Sequence, residues 1–92
     1  MVNLTKFIAE FIGTFIFIGV ILASGQPIPI GIGLIAVIYL LSNITGGHVN
    51  PAVTVTAYAA GNISGTDAVT YIVGQILGGI CALAWYKHTH KN

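Results

Sequence analysis

The sequence predicts an all-α membrane protein: three transmembrane helices plus one short half-helix fed by a re-entrant loop. Three observations carry that prediction. Of the 92 residues, 55% are hydrophobic and only 5% are charged, whereas a soluble domain carries about 25% charged residues. So few charges cannot coat a surface in water, and lipid is the solvent that suits the chain. The apolar residues fall into three long runs. Between the second and third lies a polar turn, "TGGHVNPAVT" at 45–54, out of place in so apolar a chain.

The first run, "TKFIAEFIGTFIFIGVILAS", reads as a helix over 5–24. About 20 residues rising 1.5 Å each cross a hydrocarbon core of about 30 Å. As a cleaved signal its apolar stretch Phe7–Ala23 is too long and contains Glu10, since a signal's apolar region is about 7–15 residues. A retained helix is expected. "GQPIP" then breaks the chain at Gly25, Pro27 and Pro29. The second helix is expected over 29–44, with Pro29 in its first turn. Thr66 can cap a third helix over 66–87, with Asp67 in the favourable first turn. Trp85 and Tyr86 fall at its interfacial end, and 88–92 form a polar tail.

The segment 45–61 is too short to span. Asparagine is a strong N-cap and proline suits the first helical position, so Asn50 is expected to cap a helix from Pro51 to near Gly61. About ten residues make about 15 Å, half a bilayer core. The preceding "TGGH" is non-helical backbone, tolerated at membrane depth only inside protein or along a wet cavity. The segment therefore reads as a re-entrant turn whose half-helix points its positive end inward.

Other features exclude function classes. The near-neutral charge suggests no nucleic acid. Cys81 is the only cysteine, so no intrachain disulfide forms; packing is its expected role. His88 and His90 lack a third ligand nearby and read as a solvated tail; no metal and no cofactor are expected. Asn3, Asn43 and Asn62 open formal glycosylation triplets, to which we assign no glycan. There is no nucleophile–base pair, carboxylate dyad or phosphate loop, so the chain is not expected to be an enzyme.

Three stretches together resemble the N-terminal half of an aquaporin or glycerol facilitator. "AEFIGTF" resembles that family's first-helix signature, "SNITGGHVNPAVT" its first re-entrant loop, and "GQILGGI" its third-helix pattern. The resemblance covers nearly all of 1–92 as a single half-unit. Family members carry two inverted halves, each with one Asn-Pro-Ala half-helix; these 92 residues hold one.

The resemblance implies roles. Asn50 would cap its helix with its oxygen and donate amide N–H into a pore, with Pro51 and Ala52 shaping the turn. Carbonyls of Gly46, Gly47 and His48 would accept from passing water. The His48 side chain is expected to prop the loop rather than gate by protonation. Glu10, costly in an apolar helix, would accept hydrogen bonds from loop backbone rather than relay protons. Gln75 would be a structural linker, and Gly74, Gly78 and Gly79 would allow close helix approach. The family's filter combines an aromatic on the second helix with an arginine directly after the second Asn-Pro-Ala. An ungapped count back from Asn50 puts Ile30 at the first position, and Val53 follows the Asn-Pro-Ala here, so a strict water-only filter is not expected.

A lone half would leave loop backbone and Asn50 against lipid. The economical solution is an antiparallel homodimer, two inverted copies completing one pore, with assembly of dimers beyond that resting on analogy. Lysines at the two ends are nearly balanced (Lys6 against Lys87 and Lys91), so insertion in both orientations is expected. The function this predicts is passive conduction of water and small uncharged solutes through an integral membrane protein. The rival is a non-conducting partner of full-length relatives. A truncated product that never folds comes third, and an ion-coupled transporter last.

Overall fold

A computed structural model describes residues 3–91. Its elements are α1 (Leu4–Ser24), α2 (Pro27–Leu41), α3 (Pro51–Ala59) and α4 (Gly65–Thr89). α1 packs between α2 and α4, and α3 packs on α4. Contacts fix the directions. Phe7 and Phe11 of α1 meet Gly74 and Gly78 of α4 in step, whereas Gly13 meets Leu41 and Gly33 meets Val20. So α1 and α4 run parallel, and α2 runs back between them in sequence.

The helix ends follow local chemistry. Asn3 accepts from the Lys6 amide at the start of α1, and Gly25, at φ 63°, closes its end in a left-handed turn. α2 begins at Pro27, two residues before the expected Pro29. Both prolines fit because first-turn amides have no helical acceptor to lose. It ends at Leu41, short of residue 44. The Ser42 hydroxyl donates to the Tyr39 carbonyl, and the Leu41 carbonyl gathers the amides of Ile44, Thr45 and Gly46. That knot turns the chain into the glycines. α3 ends at Ala59, with the Asn62 amide returning to the Ala57 carbonyl. α4 is capped by Ser64, not Thr66: the Ser64 hydroxyl accepts from the Asp67 amide at 3.0 Å, and the helix starts one residue earlier than expected.

α1, with 21 residues, and α4, with 25, are long and apolar enough to cross a membrane. α2 has 15 residues, about 22 Å of helix, which is shorter than a core of about 30 Å. Two of the three expected spans therefore meet the length requirement. The interior is small: Ala9, Val37, Leu41 and Val49, flanked by Phe17 and Leu34. Most large apolar side chains point outward, among them Ile28, Ile32, Ile35 and Tyr39 along one stripe of α2. A surface of this kind is stable against lipid and not against water.

The α1–α4 contact is the tightest in the molecule. A Cβ at Gly74 would lie 2.9 Å from the Phe7 carbonyl oxygen, and one at Gly78 would run into the carbonyl of Phe11. Backbone cannot yield as a side-chain tip can. Gly79 differs: its Cβ would meet only Ile18 Cγ1, at 3.7 Å, an ordinary contact. Gly78→Ala should therefore destabilise the fold by about 1–3 kcal/mol, while Gly79→Ala should be nearly neutral. Thermal melting in detergent checks the pair.

Candidate functional site

The site is assembled where the loop 42–50 meets α1 and α4. Glu10 is its centre, fully buried at 0% exposure. Its Oε2 accepts from the Thr45 hydroxyl at 2.6 Å and the His48 amide at 3.2 Å. Its Oε1 accepts from the Val49 amide and from Gln75 Nε2, both at 2.8 Å. A buried carboxylate is tolerable when donors surround it, and four do here. Two of the four are loop backbone amides, which the loop's lack of helical pairing leaves free to donate.

That clamp holds an unusual backbone. Gly46 and Gly47 have φ of 85° and 68°, and Val49 has φ 45°. Left-handed geometry suits glycine but is strained for a β-branched residue. The bond from the Val49 amide to Glu10 and burial of the Val49 side chain beside Val37 and Leu41 hold it there. Gly47 also has to be glycine for space, because a Cβ there would lie 2.8 Å from Ile38 Cα.

A hydrogen-bond chain runs from Glu10 to His48. Gln75 Nε2 donates to Thr54 Oγ1 at 2.9 Å as well as to Glu10. Thr54 Oγ1 is in turn hydrogen-bonded to His48 Nδ1 at 2.9 Å, with the ring's tautomer deciding which of the two donates. The His48 ring also stands edge-on to Tyr71, centroids 4.8 Å apart. The side chain is thus fixed by α3 and α4 together. Thr45 and Thr54, both buried, belong to this network. Neither stands out in the sequence as a site residue; a hydroxyl flanking a loop that must satisfy its own amides is the signal that points to them.

Asn50 sits at the start of α3. Its Oδ1 accepts from the Ala52 amide at 2.8 Å, and its Nδ2 donates to no group among the described residues. Residue 50 is exposed on a groove of about 330 Å³ lined by Gly46, Gly47, His48 and Val53 on one side and Phe17, Leu34 and Ile38 on the other. The loop residues singled out from the sequence thus come together with Asn50 and Val53. Ile30 does not join them: the α2 wall is Leu34 and Ile38, one and two turns further along the same face. Gly74 and Gly78 lie in the α1–α4 contact, away from the groove.

Comparison with known proteins gives the family. The family model described as "Major intrinsic protein" matches residues 1–92. Glycerol uptake facilitator protein-like 6 of Lactiplantibacillus plantarum is 42% identical over 91 residues, covering 89% of this chain and 42% of that protein. Aquaporin Z of Photorhabdus laumondii is 36% identical over 97 residues, covering 88% and 42%. Aquaporin AqpM of Methanothermobacter thermautotrophicus is 41% identical over 110 residues, covering 85% and 45%. The chain spans less than half the length of each of these relatives. With two membrane-long apolar helices and relatives of this kind, the chain is an integral membrane protein and not an enzyme. A full-length family match, laid over a loop clamped by a buried carboxylate and a helix opened by Asn50-Pro51-Ala52, makes this chain a member of the major intrinsic protein family.

Proposed function

We propose that two inverted copies of this chain form one passive channel for water and small uncharged solutes. The observation that carries the reading is the groove at the start of α3, where a free Asn50 amide adjoins the backbone of Gly46, Gly47 and His48. In this reading the loop and α3 are re-entrant and reach the membrane midplane. A passing water accepts from Asn50 Nδ2 and donates to loop carbonyls. It meets the positive end of α3, which disfavours cations and hydrated protons. The relatives are named as aquaporins and as a glycerol facilitator-like protein, which supports water or glycerol as the class of solute. Val53 on the loop side and Leu34 and Ile38 on the α2 side line that groove with apolar side chains, with no fixed cation among them. Water should pass, and glycerol should be excluded less strictly than by a channel with a cationic filter.

The test uses the 92-residue protein alone in liposomes. Shrinkage in sucrose reports water flux, shrinkage and reswelling in glycerol reports solute entry, and a trapped pH dye reports proton leak. We expect water flux well above protein-free vesicles, with measurable glycerol entry. A folded, paired protein that conducts neither would reject the channel and favour the second reading, a non-conducting partner of full-length relatives. The half-length match is what keeps that second reading in play.

A further inference from the structure

The face of α1 that turns away from the loop clamp carries a groove of its own. It holds about 260 Å³ and is lined by Phe15, Ile16, Gly19, Val20 and Ala23 of α1 and by Trp85 of α4. Gly19 and Ala23 lie about half a turn round α1 from Glu10 and Thr14, so the groove looks outward rather than toward Asn50. A Cβ at Gly19 would meet nothing within 4 Å, which leaves the floor open. Apart from the indole N–H, every side chain of the lining is apolar. An empty hollow forfeits dispersion contacts, and in a membrane the material at hand to fill it is a lipid acyl chain.

Register puts this groove near one end of the spans. Phe7 and Phe11 lie level with Gly74 and Gly78, so Ala23 falls level with the end of α4 near Thr89. The Phe15 and Trp85 rings are 6.2 Å apart, closing the groove between the two helices. A tryptophan with one apolar body and one N–H suits the boundary between hydrocarbon and headgroups. His88 follows it by one turn on the same face of α4.

The charges at that end are of one sign. The chain has two acidic side chains, Glu10 and Asp67. Glu10 is enclosed by the loop and Gln75. Asp67 lies at the opposite end, where it pairs with Lys6 at 2.7 Å and neutralises the lysine there. Lys87 and Lys91 are exposed and pair with no acid among the described residues. His88 adds a ring N–H in either tautomer. The C-terminal end of α4 contributes about half a negative charge, which two lysines outweigh.

A free phosphate has no use for the apolar slot, and phosphatidylcholine brings a cation of its own to the rim. We propose that the α1–α4 groove and the rim of Lys87, His88 and Lys91 bind an anionic phospholipid. One acyl chain lies along Gly19 against Trp85, and the headgroup phosphate meets the lysines. The site is complete within one chain and does not rest on the paired channel.

Trp85 is the only tryptophan, so its fluorescence reports this groove alone. The 92-residue protein is placed in bilayers of phosphatidylcholine and phosphatidylglycerol, with brominated acyl chains on one lipid and then on the other. Bromine quenches the indole only where its chain lies close. We expect phosphatidylglycerol to be preferred at Trp85 over phosphatidylcholine at least about threefold. Replacing both rim lysines (Lys87→Gln with Lys91→Gln) should bring the preference close to one, with emission wavelength and helical content unchanged. Lys6→Gln, at the far end, should leave it intact. Gly19→Leu should fill the slot and lower quenching by both lipids alike; should that variant fail to fold, the lysine variants carry the test alone. Equal quenching by the two lipids overturns the site. So does a preference that survives loss of both rim lysines, or one that Lys6→Gln removes equally. Absence of quenching by either lipid overturns it too, because the groove is then covered by protein.

Discussion

Glu10→Ala should unfold the loop and abolish flux together. Removing the carboxylate leaves the amides of His48 and Val49, the Thr45 hydroxyl and one N–H of Gln75 without their acceptor. Each such buried donor costs about 1–3 kcal/mol. The left-handed Val49, at φ 45°, loses the bond that holds it and relaxes toward ordinary backbone. The summed loss is comparable to the whole stability of a small domain, about 5–15 kcal/mol. Glu10→Gln should fall between. An amide keeps one acceptor oxygen, and wherever its NH2 is placed it faces two of the four donors. Melting in detergent should rank the unaltered chain first, Glu10→Gln second and Glu10→Ala last, with water flux in liposomes following the same order. A Glu10→Gln protein of normal stability that has lost only proton-coupled transport would instead make Glu10 a relay.

The contrast between Glu10 and Ile30 shows what kind of information the sequence held. A carboxylate in an apolar run, and Asn-Pro after two glycines, are anomalies of composition. Helix geometry must use the second, so the cap at Asn50 was legible from residue chemistry; chemistry showed only that Glu10 needs partners, and the family resemblance named the loop backbone as their source. The cap at Ser64 and the end of α2 at Leu41 were not. Ser64 and Thr66 are chemically equivalent caps two residues apart, and the choice falls to whichever hydroxyl reaches a first-turn amide, here that of Asp67. α2 stops where the Ser42 hydroxyl and three loop amides converge on Tyr39 and Leu41, a knot in which Ser42 and Ile44 read as helix while Thr45 and Gly46 already read as loop. The groove's α2 wall followed the same rule. Ile30, Leu34 and Ile38 share one helix face, and only the fold decides how far along it the loop lies. That Thr14 Oγ1 and Gln75 Oε1 are buried without a hydrogen-bond partner is beyond any sequence reading, because an unmet hydrogen bond is a property of neighbours.

Fixing the orientation of the chain should silence it, and supplying the opposite orientation should restore it. The motivation is the balance of lysines, with Lys6 near one end and Lys87 and Lys91 near the other. In the folded chain Lys6 Nζ lies 2.7 Å from Asp67 Oδ2, tying the start of α1 to the start of α4. That pair does not enter the choice of orientation: α1 is committed to the membrane before residue 67 is available to it, and acidic residues contribute little to the rule in any case. One lysine against two is a weak bias, so C-terminal reporters active on only one side of the membrane should each give a signal. Two lysines added before α1 should drive most copies one way up, deplete inverted pairs, and lower water flux at least about tenfold. Two added after Thr89 should drive them the other way with the same loss. Co-expressing the two biased chains restores inverted pairs, and flux should return to near that of the unaltered protein. A reporter signal from one side only, or full flux from either biased chain alone, would show that the pore does not need two opposed copies.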